Sequence, residues 1–138
     1  MKRPPTDLEI LEEIYRRYYD EFSAYSPEDT ERDSKVYVPI NIRAIADHFG
    51  VDGDIVHGRL YYYLDHKYSI TRSNGSTVPF FRFVEDTVPD SRHQVQFPIL
   101  ASAIASLRDS RNQFLWATAL GGASFFIALL ALVFSIGC

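Results

Sequence analysis

The stretch from Phe114 to Ile136 constrains this chain most. It reads FLWATALGGASFFIALLALVFSI and carries no charged side chain. At about 1.5 Å per residue it makes a helix of roughly 35 Å, enough to cross a hydrocarbon core of about 30 Å with a slight tilt. A helix buried in a soluble core keeps a polar stripe or stops sooner, so this stretch reads as a transmembrane helix. Only Gly137 and Cys138 follow it, which gives a tail-anchored layout in which the span is its own address. The opening MKRPPTDLEILEE has positive charge but no apolar run behind it, unlike a secretory signal. Arg108 and Arg111 stand just before the span, and basic residues favour the cytoplasmic side, which places the N-terminal domain in the cytoplasm.

About 110 residues remain for soluble structure, enough for one small domain with a modest, strongly aromatic core. Residues 1–34 hold five Lys/Arg against ten Asp/Glu, and residues 35–93 hold seven against seven. Neither part is the basic surface that binds nucleic acid by charge alone. The only cysteine is Cys138, so the chain has no internal disulfide framework and no cysteine-based zinc site.

From Thr6 to about Ser26 the pattern is helical. Thr6 with Glu9 makes a capping box, and Leu8, Leu11, Tyr15, Tyr18 and Phe22 share one face. Glu12, Glu13, Arg16, Arg17 and Asp20 read as the solvated face, with Glu12–Arg16 and Glu13–Arg17 as i,i+4 pairs. Ser26–Lys35 is a polar loop, and Val36–Ile40 an edge strand broken by Pro39. Asn41 caps a helix carrying Ile42, Ile45, Ala46 and Phe49, and Gly50 stops it. After the turn Val51-Asp52-Gly53, Asp54 caps a second helix with Ile55, Leu60, Tyr63 and Leu64 inward. Tyr68–Arg72 and Thr77–Val84 flank Ser73-Asn74-Gly75-Ser76, which predicts a hairpin, most simply through a type I′ Asn-Gly turn. Glu85–Gln94 is a polar linker, Val95-Gln96-Phe97 can add a strand beside the hairpin, and Pro98 opens a helix with Ile99, Ala103, Ile104 and Leu107 on its apolar side. No Gly or Pro separates Pro98 from the span, so one continuous helix is expected.

This order of helix, strand, helix, turn, helix and hairpin resembles the winged helix-turn-helix family over roughly Thr6–Val84. Ala46 matches the small residue of the first helix of the motif, Phe49 and Val51 flank its turn, and Ile55 and Leu60 match packing positions of the second helix. These positions speak for fold more than for DNA binding. The expected class is α+β, with a winged helix-turn-helix-like cytoplasmic domain over 1–84 and a linker over 85–97 with its added strand. A juxtamembrane helix over 98–113 and a transmembrane helix over 114–136 follow.

As the resemblance implies, DNA would meet the second helix and the wing, through Arg43, His57, Arg59, Lys67, Arg72 and Asn74. Asp52, Asp54 and Asp65 beside them make that surface locally neutral, which disfavours duplex at physiological salt. Tyr61-Tyr62-Tyr63 cannot all face one core, so at least one projects outward as a protein interface residue; as a plain alternative, the third covers surface. His48, His57, His66 and His93 are spaced nine, nine and twenty-seven residues apart, which matches no metal-ligand pair. No nucleophile elbow, phosphate loop or paired-carboxylate motif is present, so neither an enzyme nor a cofactor is expected. In the span, Ala117 with Gly121 and Thr118 with Gly122 put small residues four apart, a spacing that favours helix association in lipid.

The reading that results is a membrane-tethered module that binds a protein partner or another copy of itself, making a homo-oligomer in contact with the bilayer. The alternatives are a membrane-anchored DNA-binding transcriptional regulator and an oligomeric membrane effector that perturbs the bilayer on receiving a signal.

Overall fold

Thr6 opens the first helix, α1 (Asp7–Ser23), in the computed structural model, which describes residues 3–28, 34–83 and 93–136. The capping box forms as its residues dictate: Glu9 N–H donates to Thr6 Oγ1 at 3.1 Å, and Thr6 N–H donates to Glu9 Oε1 at 3.0 Å. The inward face is Ile10, Leu11, Ile14 and Tyr18, one step round from the expected stripe, while Tyr15 and Phe22 are half-buried. Glu13 shares the inner side and is only 5% exposed, which corrects its assignment to a solvated face.

β1 (Tyr37–Pro39) follows, then α2 (Ile42–Phe49), capped by Asn41 Oδ1 accepting from Ala44 N–H at 3.1 Å. Gly50 closes α2 with φ 67, the left-handed conformation glycine adopts at helix ends. The next helix starts one turn residue earlier than expected. Asp52, not Asp54, is the cap, and α3 runs Gly53–Gly58. It widens into a π-helix over Arg59–Leu64 and returns to α-helix as α4 (Asp65–Tyr68). Val56, Leu60 and Leu64 face inward with no exposure. In a regular α-helix these positions would drift by about 40° at each step of four; the wider turn keeps them aligned. Ile55 and Tyr63, expected inward, are 46% and 70% exposed.

β2 (Ile70–Thr71) pairs antiparallel with β3 (Thr77–Val78). The turn between them is not the two-residue type I′. Gly75 N–H donates to Arg72 C=O and Arg72 N–H to Ser76 C=O, leaving a three-residue loop that ends on Gly75 with φ 87. That is a type I turn followed by a left-handed residue, the other common solution for a short hairpin. Pro79 ends the run expected to continue to Val84. The chain re-forms as β4 (Phe81–Arg82), which pairs with β5 (Gln94–Gln96) rather than extending the hairpin. β5 also pairs with β1, so the added strand is the middle of a three-stranded antiparallel sheet ordered β1-β5-β4, and β1 is at an edge as expected. Val84, residues 85–92 of the linker, residues 29–33 of the polar loop, and Gly137 and Cys138 lie outside the described residues.

Asp65 holds the base of the hairpin to the helix before it. Its Oδ1 accepts from Phe81 N–H and from Ser69 Oγ, both at 2.9 Å, and Ser69 Oγ accepts from Phe80 N–H. Phe97 is the centre of an aromatic cluster, 1% exposed and stacked on Tyr15 at 5.4 Å and Phe22 at 4.6 Å. With Phe80, Val38, Ile40, Ile45 and Leu100 it fills the core.

Phe97 also begins α5 (Phe97–Ile136), a single helix of 40 residues. Two compact units result, Met1–Ile104 and Ala105–Cys138. Among the described residues α5 is the one helix long and apolar enough to span a membrane, and its apolar stretch is unburied.

Candidate protein interface

The widened helical turn decides where the three tyrosines go. Leu60 and Leu64 are nearly one full π-turn apart and both face inward, so the residues between them cover the outer arc. Tyr61, Tyr62 and Tyr63 are all exposed, at 42%, 69% and 70%. Tyr61 contacts Tyr62 with ring centroids 5.0 Å apart and Phe83 at 5.6 Å. Phe83 is itself 51% exposed. Tyr61 stacks on His57 at 5.8 Å, and Phe83 stacks on His93 at 4.8 Å; the two imidazoles are 5.1 Å apart. Phe81, buried, presents its edge to His57 from below. His57 Nε2 is buried and has no hydrogen-bond partner among the described residues. Phe83 and His93 did not stand out in the sequence. The alternation Phe81-Arg82-Phe83 was the available signal for the first; nothing local signals His93, which sheet closure brings in.

The cations expected at a nucleic-acid surface are dispersed. Arg43 and His57 line an open depression of about 350 Å³ together with Asp52, Asp54 and His93. Two carboxylates in that depression oppose phosphate. Arg59 Nη1 donates to Asp7 Oδ1 at 2.5 Å, tying the π-turn to the first turn of α1 and neutralising its charge. Lys67 is exposed, with its ammonium 5.3 Å from the Tyr68 ring. Arg72 is exposed on the hairpin loop, and Asn74 Oδ1 holds that loop by accepting from Ser76 N–H and Oγ.

The most concentrated charge lies elsewhere. The Glu13 carboxylate accepts from Arg16 at 2.6 and 3.1 Å and from Arg17 at 3.2 Å, and is 3.3 Å from His48 Nε2. Burial pushes this carboxyl up, but the Arg16 hydrogen bond, the charges of His48 and Arg16 and the Arg17 hydrogen bond outweigh it, and the net shift is downward. Glu13 thereby joins α1 to α2. No group of three or more metal-ligating side chains is gathered among the described residues.

On α5, Ala117, Thr118, Gly121 and Gly122 are exposed. Thr118 Oγ1 donates to Phe114 C=O at 2.9 Å, and a Cβ added at either glycine would meet nothing within 4 Å. Compared with family models, curated proteins and solved structures, the chain matches none.

Proposed function

We propose that this chain is a membrane-tethered winged-helix module that works by binding a protein at the cytoplasmic face, a second copy of itself first of all. One observation carries the reading: three consecutive tyrosines and Phe83 are exposed together on the first unit, with Tyr61 in ring contact with both Tyr62 and Phe83. Aromatic side chains with a polar tip are the residues that dominate interface centres, because they bury much area at little cost in rotamer freedom. The winged-helix assignment is supported by the element order and by the capped helix-turn-helix at Asn41–Tyr68 followed by a hairpin. The cytoplasmic placement is supported by Arg108 and Arg111 before the span. Arg59, spent on Asp7, and the carboxylates beside Arg43 and His57 weigh against duplex DNA as the partner.

The test is the mass of the full-length protein in a mild detergent across a concentration series, with and without duplex DNA. Multimers that weaken when Tyr62→Ser and Phe83→Ser are combined are expected. A monomer at every concentration, with salt-sensitive retention of DNA, would overturn the reading.

A further inference from the structure

Building on the self-association reading, we infer that the aromatic surface is a pH-sensitive docking face, opened to a second copy when His57 and His93 are neutral and closed when they are protonated. Both exposed rings that flank the centre of the patch rest on imidazoles. Tyr61 lies on His57 with the planes 13° apart, and Phe83 lies on His93 with the planes 23° apart. A partner that covers these rings also covers the imidazoles beneath them, and burying a base favours its neutral form. Part of that burial already exists, since His57 Nε2 is out of water with no acceptor among the described residues.

The charged groups facing the pair come from two elements and the turn between them. Arg43 belongs to α2, Asp52 is the cap of α3, and Asp54 lies in its first turn, all three on the depression that His57 and His93 also line. One guanidinium and two carboxylates leave a single net negative charge, enough to compensate one imidazolium. The second proton then meets a like charge on a ring 5.1 Å away. From the remaining sides the pair meets Tyr61, Phe81 and Phe83, which supply faces and edges but no carboxylate. The charged pair therefore keeps water, and the neutral pair can give it up. Each proton released on docking makes association up to about tenfold weaker for each pH unit below the imidazole range.

Cys138 is the only cysteine, so the full-length chain can be labelled there with donor or acceptor dye and reconstituted in lipid vesicles. Energy transfer against dilution in lipid then measures association. The expected result is at least about tenfold weaker association at pH 5.5 than at pH 7.5, with that ratio falling to near one in the double variant His57→Gln, His93→Gln, whatever its absolute strength. His66→Gln, an exposed imidazole on α4, should keep the wild-type ratio. If the double variant fails to fold, the imidazole proton resonances of the wild type serve instead, and they should titrate at lower pH in concentrated than in dilute vesicles. Association that is equal or stronger at pH 5.5, or a wild-type ratio in the double variant, overturns the inference while leaving self-association standing. Absence of energy transfer at both pH values overturns the self-association reading itself.

Discussion

Replacing Glu13 by Gln keeps the side-chain volume and removes the charge that three cationic side chains share. Two contacts from Arg16 and one from Arg17 are charge-assisted, and His48 adds a fourth interaction at 3.3 Å. Charge-assisted bonds contribute about 1.5–3 kcal/mol each when buried. Here the carboxylate is buried, but the Arg16 and His48 side chains are 66% and 45% exposed and recover hydration when released, so most of that figure is screened. A loss of about 2 kcal/mol in total is expected, or roughly 10 °C in the melting temperature of a domain this size. The pH dependence has a definite sign. The folded-state pKa of Glu13 lies below its ordinary value, so its stabilisation is fully present above the usual carboxylate range and is lost as pH falls through the lowered folded value. The gap between wild type and Glu13→Gln should be complete at pH 7 and close in acid. All nine tyrosines lie at or before Tyr68 and the one tryptophan is Trp116, so near-ultraviolet tyrosine circular dichroism in mild detergent reports the first unit alone. A gap absent at pH 7, or one that persists undiminished near pH 3, would refute the electrostatic account and leave Glu13 as a packing residue.

The core and the hairpin give two further tests with the same optical signal. Phe97→Ala should cost about 3–5 kcal/mol, because it empties the centre of the aromatic cluster; an unchanged melting curve would show the cluster to be dispensable. Gly75→Ala should cost about 1 kcal/mol through its φ of 87 alone, since a Cβ there meets no atom within 4 Å, and Gly75→Asn should cost less.

What the sequence discloses here is what depends on neighbours in the chain. The capping box at Thr6, the Asn41 cap, the Gly50 stop and the unbroken helix from Pro98 all follow from residues within four positions of one another. Glu13 was misplaced because two overlapping stripes on α1 satisfy helical spacing equally well. The choice between them is made by His48, thirty-five residues on. Asn-Gly named the hairpin but not its loop, since the register is set by the pairing of Ile70 with Val78 rather than by the turn residues. The π-turn has no period that composition reveals, and it alone determines that all three tyrosines point outward. Half of the aromatic patch was therefore legible, at Tyr61–Tyr63 and His57. Phe83 and His93 join it only through the sheet that β4 and β5 form.

The junction at Gln96–Phe97 has a mechanical consequence. β5 is hydrogen-bonded along both edges, Gln96 N–H donates to Phe80 C=O, and Phe97 N–H donates to Val36 C=O. Tension applied to the chain beyond Ile104 enters the first unit at Phe97 and falls at once on two strand ladders and on the buried ring. Neither ladder can be peeled from a free edge one bond at a time. A tether that ended in an edge strand would yield like a zipper; this one must yield all together, so force should unfold the first unit in a single step rather than fray it.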